Sequence, residues 1–243
     1  MLKNSENYRL KLDENQLYIS PPVSMEGWIA LSNVDGEGWV FEKSDNQRIE
    51  GAKSRNVSGP IEEVLKNDLL VIYGTKSRQS QWYLEKRARK VEEVLIGAGR
   101  GELSGGHFRV LKDIEVTHEQ LAGNNIWLIG TADENSIVEM FSDELPTAFD
   151  GGDLILGSSK VSRESLFFEC VIPNPYAGDR YAFIEMANSR FAYSSCVFGN
   201  RKFDYAVSEF DGLNNPVLYR GIFNGNWEFD ESTKYTNFNL EVE

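Results

Sequence analysis

The hydrophobic pattern of the chain changes near residue 59, and this change predicts two kinds of structure. Residues 8–42 alternate between apolar and polar side chains in four short stretches separated by turn-forming residues. Alternation with this period is typical of half-buried strands. We therefore predict a small antiparallel β unit over residues 1–45, a polar linker over 46–58 and a second domain over 59–243.

In the second domain, apolar runs alternate with amphipathic stretches. The runs "LLVIYG" (69–74) and "NIWLIG" (125–130) contain no charged position, which is the pattern of parallel strands covered on both faces. Between these runs, apolar residues recur at steps of four, three and four, which predicts a helix with one buried stripe. The stripe consists of Leu84, Ala88, Val91 and Leu95.

The rest of the second domain predicts further strands and two short helices. The helices are predicted at 117–122, where Thr117 and Gln120 form a capping box, and at 134–145. The segment "FDGGDLILGSSKV" predicts a hairpin turning at Gly151-Gly152 or at Gly157-Ser158. Additional strands are predicted at 107–113, 165–172, 180–188, 204–210 and 218–229. Strands that alternate with helices favour an α/β fold with a doubly wound, mostly parallel sheet, here carrying an inserted hairpin.

The charge of the chain restricts its partners. The net charge is −13, with 38 acidic and 25 basic residues among 243. Because an acidic surface repels phosphate, nucleic-acid binding is not expected. We interpret the one concentration of basic residues as the solvated face of a helix. It consists of Lys76, Arg78, Lys86, Arg87, Arg89 and Lys90.

Membrane insertion and a signal peptide are also not expected. The longest apolar runs are far shorter than a bilayer span, and the N-terminal segment lacks the apolar core of a signal peptide. These patterns leave the cellular location open.

Residue types and motifs that commonly bind metals or cofactors are scarce in the chain. Cys170 and Cys196 fall on or beside predicted core strands, and we expect buried thiols, with a bridge left open. Zinc would need further ligands, and the chain offers only His107 and His118, so no metal site is expected. The glycines of 97–106 follow a helix rather than a strand, so we expect them to end that helix rather than bind a dinucleotide. No cofactor is expected.

A serine hydrolase would need a nucleophile at a strand–helix elbow with a histidine and an acid beside it. Ser77 and Ser80 follow the strand at 69–74, but neither histidine is predicted near them. No spacing singles out a pair of carboxylates. We therefore expect no self-contained catalytic triad.

A possible binding site is predicted where the buried strands end. The runs at 69–74 and 125–130 are each followed by threonine and a polar stretch, and a third strand ends at Asn188. In a flavodoxin-like strand order the first and third strands are neighbours, and ligands bind in the crevice outside their carboxyl ends. The predicted crevice is lined by Thr75, Lys76, Ser77, Thr131, Asn135, Asn188 and Ser189. The alternative is that these small polar residues only close tight turns through local hydrogen bonds.

Several motifs in the second domain resemble those of a known family. They are, in order, "GPIEEVLKNDLLVIYGT", "NNIWLIGTADENS", "DGGDLILG", "IPNPYAGDRYAFIEMANS", "DYAVSEFDG" and "GIFNGNWEF". Their order and spacing resemble the flavodoxin-like companion domain attached to many bacterial prolyl-oligopeptidase-like α/β-hydrolases and esterases. A short β-rich stretch precedes that domain and is similar to residues 8–42 here, so the resemblance covers roughly residues 8–229 at the level of motifs.

The resemblance implies an accessory role rather than catalysis. In that family the Ser-His-Asp machinery belongs to the separate hydrolase domain, so no catalytic residue carries over to this chain. The implied roles are substrate positioning, domain packing or oligomerisation, and the implied partner is an α/β-hydrolase domain in cis or in trans. Members of that family are often secreted or periplasmic.

Three functions are consistent with these observations. The first is a non-catalytic interaction module related to hydrolase companion domains. The second is a small-molecule or carbohydrate-binding protein that uses the crevice, with Trp82 or Trp227 as stacking platforms. The third, ranked last, is a serine esterase or peptidase with an unrecognised site.

Overall fold

The computed structural model describes the backbone of four strands between residues 8 and 42, and residues 53–54, 57–97, 108–195, 202–212 and 216–236. The chain divides into two compact units, Met1–Glu50 and Gly51–Glu243. The expectations for His107, for Cys196 and for the glycines that follow Gly97 lie outside the described residues.

The first unit contains two antiparallel hairpins at the four predicted stretches. Strand β1 (Tyr8–Leu12) pairs with β2 (Asn15–Ile19), and β3 (Ala30–Val34) pairs with β4 (Gly38–Glu42).

The second unit is built on a sheet that has eight strands within the described ranges. Its strands are β5 (Leu69–Tyr73), β6 (Phe108–Lys112), β7 (Asn125–Ile129), β11 (Leu166–Asn174), β12 (Ala177–Ala187), β13 (Tyr205–Glu209), β14 (Val217–Gly221) and β15 (Lys234–Thr236). From edge to edge their order is β15-β14-β13-β11-β12-β7-β5-β6.

The sheet is mixed rather than mostly parallel. Among the described strands of this sheet, only the pairings β5–β6, β5–β7 and β7–β12 are parallel, whereas the four pairings from β12 through β11, β13 and β14 to β15 are antiparallel. The prediction of a mostly parallel sheet is therefore met in one half only. The physical reason is the tight turn between Asn174 and Ala177, because so short a connection can join only antiparallel strands.

The two apolar runs lie side by side in the parallel half, as predicted. Val71 of β5 is in register with Trp127 of β7, and every residue of both strands is buried. Continuous burial means that both faces of these strands are covered, which explains why neither run alternates.

In the part of the chain that the structure describes, four α-helices cover the sheet or its ends. They are α1 (Gln81–Gly97), α2 (His118–Gly123), α3 (Ser136–Met140) and α4 (Arg190–Ser195). Helix α1 buries all four residues of its predicted stripe, and α2 has the predicted capping box between Thr117 and Gln120. Helix α3 is shorter than predicted because Phe141 leaves the helical conformation. Short 3₁₀ helices span Ile61–Lys66, Asp113–Glu115, Ser142–Glu144 and Glu231–Thr233.

The inserted hairpin is a three-stranded antiparallel sheet. Strands β8 (Thr147–Asp150), β9 (Asp153–Leu156) and β10 (Ser159–Val161) pair in order. Both alternative turn positions are used, since Gly151, Gly152 and Gly157 all have positive φ, which glycine adopts without steric cost. Among the helices of the described ranges, none has the length and apolar character needed to cross a membrane.

Candidate functional site

The loop between β7 and α3 crosses the carboxyl end of β5, where the crevice was predicted. Its Glu134 carbonyl accepts a hydrogen bond from the Lys76 amide at 3.0 Å. A Cβ atom on Gly74 would lie 2.2 Å from the same carbonyl oxygen. The backbone of the loop therefore occupies the space directly above β5, and only glycine fits beneath it.

Asn135 fastens this loop to the sheet. Its side-chain amide donates to the carbonyl oxygens of Ile129, at 3.1 Å, and Ile72, at 3.4 Å, at the ends of β7 and β5. Its Oδ1 accepts from the amides of Ile137 and Val138 at 2.9 and 3.3 Å, which makes Asn135 the N-cap of α3. The side chain is fully buried, and its hydrogen-bonding groups are used within the protein.

Thr75 is held by a buried carboxylate that the sequence did not single out. Asp113, which follows the edge strand β6, accepts from the Thr75 hydroxyl at 2.5 Å. The same carboxylate accepts from the Ser136 amide at 2.8 Å and the Ser136 hydroxyl at 2.9 Å. Asp113 is 2% exposed, so it joins the ends of β5 and β6 to the first residue of α3.

Lys76 and Ser77 complete the turn between β5 and α1. The Lys76 ammonium donates to the Ala132 carbonyl at 2.9 Å and lies 2.7 Å from Glu139 Oε1. The Ser77 hydroxyl accepts from the Ser80 amide at 3.4 Å. Both residues therefore bond to the adjoining loop or to their own turn.

Asn188 and Ser189 form a separate group at the end of β12. Asn188 accepts from the Leu166 amide at 2.7 Å and donates to the Gly152 carbonyl at 2.7 Å, which ties the β8–β9 turn to the main sheet. The hydroxyl groups of Ser189 and Ser165 are 2.5 Å apart. The seven predicted residues thus fall into two groups, at the ends of β5 and β7 and at the end of β12.

Glu134 connects the two groups through a pair of tyrosines. Tyr83 of α1 donates to its Oε1 at 2.7 Å, and Tyr193 of α4 donates to its Oε2 at 3.0 Å. The tyrosine rings are stacked with centroids 5.7 Å apart, and Thr131 donates its amide to Oε2 at 3.0 Å. Thr131 and Glu134 are spaced as in a capping motif, which was the sequence signal for this contact.

Burial and the Glu134 charge disfavour ionisation of both tyrosines. Burial, with a smaller contribution from Glu134, raises the pKa of Tyr83 to about 12. The same two causes raise the pKa of Tyr193 well above its ordinary value. The cluster is therefore arranged to keep both phenols protonated.

This arrangement predicts a loss of stability in alkali. Because the pKa of Tyr83 is higher in the folded chain, its contribution is complete below the unfolded value of 10 and is lost as the pH rises toward about 12. We expect the free energy of unfolding to fall less over this pH window in Tyr83→Phe than in the unmodified chain. Urea denaturation at a series of pH values measures this, with the exposed tryptophan variant Trp82→Phe as a control. An identical pH dependence in Tyr83→Phe and the unmodified chain would contradict the prediction.

Arg87 departs from the prediction that it lies on a solvated face. Its Nε and Nη2 donate to the two Glu185 oxygens at 2.9 and 2.7 Å, and the two side chains are 2% and 0% exposed. Lys76, Arg78, Lys86, Arg89 and Lys90 are exposed, as predicted. The missed signals were a cation next to the apolar stripe of α1 and the one carboxylate within the buried stretch 181–187 of β12. Two opposite charges that are both buried are expected to pair.

A second polar cluster lies at Asp204, in part within the predicted linker. The Lys53 ammonium is 2.5 Å from Asp204 Oδ2 and donates to the Phe223 carbonyl at 2.7 Å. Burial raises the pKa of Asp204, whereas the Lys53 ammonium acts in the opposite direction. A Cβ atom on Gly59 would lie 1.9 Å from Asp204 Oδ1, and Val57, also from the predicted linker, is buried. These residues belong to the packing of the second unit.

The remaining candidates for chemistry are the buried Cys170, the exposed His118 and two tryptophans. Cys170 is buried, which raises the pKa of its thiol, and the His118 ring packs edge-on against Tyr176 at 5.4 Å. Trp227 is 6% exposed, so it does not offer a stacking platform, whereas Trp82 is 58% exposed. Among the residues that the structure describes, no three His, Cys, Asp or Glu side chains are grouped to hold a metal ion.

Comparison with known proteins assigns no family. The chain matches no protein-family model, and no curated protein is significantly similar to it. The resemblance to hydrolase companion domains therefore rests on the sequence motifs alone.

Proposed function

We propose that the chain is a non-catalytic accessory domain, related to the companion domains of prolyl-oligopeptidase-like hydrolases, and that it acts by binding another protein. The proposal depends on what lies at the carboxyl edge of the parallel strands. There the β7–α3 loop lies over β5, and the polar residues bond to one another or to the backbone. Polar residues bonded in this way stabilise the fold.

The motifs behind the resemblance also have scaffolding roles. The Tyr181 hydroxyl accepts from the amides of Ser58 and Gly59 at 3.0 and 3.3 Å, which brings the Gly-Pro-Ile motif to the Arg-Tyr motif. Asn174 of the Pro-Asn-Pro motif donates to the Leu121 and Asn124 carbonyls at 2.7 and 3.1 Å. These contacts support an interpretation in which the motifs maintain a fold.

The same contacts count against ligand binding in the crevice and against hydrolysis. A ligand at the end of β5 would have to displace the loop that Asn135 fastens to two strands. The Thr75 hydroxyl faces a carboxylate, as a nucleophile would, but Asp113 is buried and also accepts two hydrogen bonds from Ser136. A carboxylate occupied in this way does not act as a free general base.

Hydrolase assays test the non-catalytic part of the proposal. We expect the purified chain to hydrolyse p-nitrophenyl esters and prolyl peptides no faster than its Ser77→Ala and Thr75→Val variants, because neither hydroxyl is activated. Initial rates at matched protein concentration measure this. Turnover that disappears in either variant, while circular dichroism shows an intact fold, would refute the non-catalytic assignment.

Complex formation tests the accessory part. The relevant partner is an α/β-hydrolase encoded in the same reading frame or beside it, mixed with this chain and followed by size-exclusion chromatography with light scattering. Co-elution at a defined stoichiometry supports the proposal. Independent elution of the two proteins at concentrations above micromolar counts against a hydrolase partner.

A further inference from the structure

Two large aromatic side chains are exposed on a pair of packed helices. Trp82 in the first turn of α1 is 58% exposed, and Phe191 of α4 is 53% exposed. Helices α1 and α4 are in contact. Exposed aromatic rings on adjoining elements are a mark of protein-binding surfaces.

Three cations accompany these rings. Arg78 lies in the turn before α1, four residues ahead of Trp82, and Lys86 lies one helical turn after it. The Arg190 guanidinium lies 4.8 Å from the Phe191 ring centroid. All three cations are exposed, and none has an ion pair with a residue in the described ranges. We call Arg78, Trp82, Lys86, Arg190 and Phe191 the aromatic–basic surface.

The sequence of α1 explains why Lys86 has no carboxylate partner on the helix. Arg89 and Lys90 each pair with a glutamate three residues later, at 3.0 and 3.1 Å. Three and four residues after Lys86, by contrast, come those same two cations, and three and four residues before it come Tyr83 and Trp82. Neighbours at these spacings are the ones that a helical side chain reaches, so Lys86 has no carboxylate within reach along the helix.

One ring of the surface, that of Trp82, is supported from below by two tyrosines. The Trp82 ring packs edge-on against Tyr83 with centroids 5.7 Å apart, and Tyr83 stacks on Tyr193. Both tyrosine hydroxyls bond to Glu134. A ring packed in this way loses little conformational entropy when a partner docks.

We propose that the aromatic–basic surface binds an acidic segment of a partner protein, with carboxylates on the three cations and an apolar side chain on the two rings. The charge of the surface selects such a partner, because it concentrates unpaired positive charge on a chain whose net charge is −13. The same net charge disfavours nucleic acid, whose phosphates would be repelled by the rest of the protein. The inference extends the proposed function, on which it rests, by naming a surface and the class of partner.

A defined peptide tests the surface directly. The probe is a short fluorescein-labelled peptide rich in glutamate and carrying phenylalanine, compared with a matched peptide that has glutamine in place of glutamate. Fluorescence anisotropy with the full chain should show binding of the glutamate peptide only, weakened by salt. The double variant Arg78→Glu/Lys86→Glu should weaken binding about tenfold, and Trp82→Ala should weaken it as well. Arg109→Glu/Lys202→Glu, which reverses two exposed cations elsewhere, is the control and should bind like the unmodified chain.

Each of the following outcomes would overturn the inference. Equal weakening in the control would mean that only net charge matters, and equal binding of the glutamine peptide would exclude a role for carboxylates. Single-stranded DNA that binds more tightly than the glutamate peptide through the same residues would assign the surface to nucleic acid. Self-association lost in Arg78→Glu/Lys86→Glu would assign it to a second copy of the chain. Failure of peptide binding with no ester turnover removes this inference alone, whereas turnover dependent on Ser77 removes the proposed function.

Discussion

The Arg87→Met variant is expected to lose about 3–5 kcal/mol of unfolding free energy, because it leaves Glu185 buried without its guanidinium partner. In the unmodified chain the two side chains form a bidentate pair between α1 and the centre of the sheet. The guanidinium also lies 5.7 Å from the Phe167 ring centroid. Methionine keeps much of the length and apolar contact of arginine, so the loss of unfolding free energy reports the removal of the charge. Urea denaturation followed by circular dichroism measures it.

Two further variants separate the ion pair from simple packing. The double variant Arg87→Met/Glu185→Leu removes both charges, and we expect it to regain most of the lost stability, since a buried pair replaced by apolar residues is often neutral. Lys86→Met changes the adjacent, exposed cation and should alter stability by less than about 0.5 kcal/mol. A loss below about 1 kcal/mol in Arg87→Met would contradict the assignment of a buried, structural ion pair.

The parallel half of the fold was predictable because its signals are local and continuous. Five successive buried residues in β5 and again in β7 admit few alternatives to covered strands. The stripe of α1 follows from helical periodicity, and all of its members are buried. The adjacency of the first and third strands was predicted from a flavodoxin-like strand order, and β5 and β7 are neighbours in the sheet.

The antiparallel half was not predicted, because its signal is a turn rather than a run of residues. Apart from one glutamate in each, residues 166–172 of β11 and 181–187 of β12 are as apolar as β5 and β7, so burial alone does not reveal the direction of the strands. The short turn between Asn174 and Ala177 is the feature that indicates an antiparallel direction. The pairing of β11 with β13 crosses 30 or more residues, and no local pattern specifies it.

The candidate site shows how similar local patterns can serve different purposes. Thr75 and Thr131 both follow a Gly at the end of a buried strand. Thr75 donates to Asp113, whereas Thr131 donates its amide to Glu134 in its own loop. The sequence located both residues at one edge of the sheet, but the partners depend on the path of the β7–α3 loop, which a strand-end pattern does not specify.

Asn135→Ala is expected to destabilise the fold by about 2–4 kcal/mol, because it removes the cap of α3 and the bonds from the loop to β5 and β7. The substitution leaves the amides of Ile137 and Val138 without the oxygen that they share. Urea denaturation measures the loss, and Ser77→Ala is the matched control from the same predicted crevice. The Ser77 hydroxyl makes one long hydrogen bond at 3.4 Å, so its removal should cost less than about 0.5 kcal/mol. Similar, small losses in both variants would contradict the structural role of Asn135 and make a ligand-binding role for the crevice the better explanation.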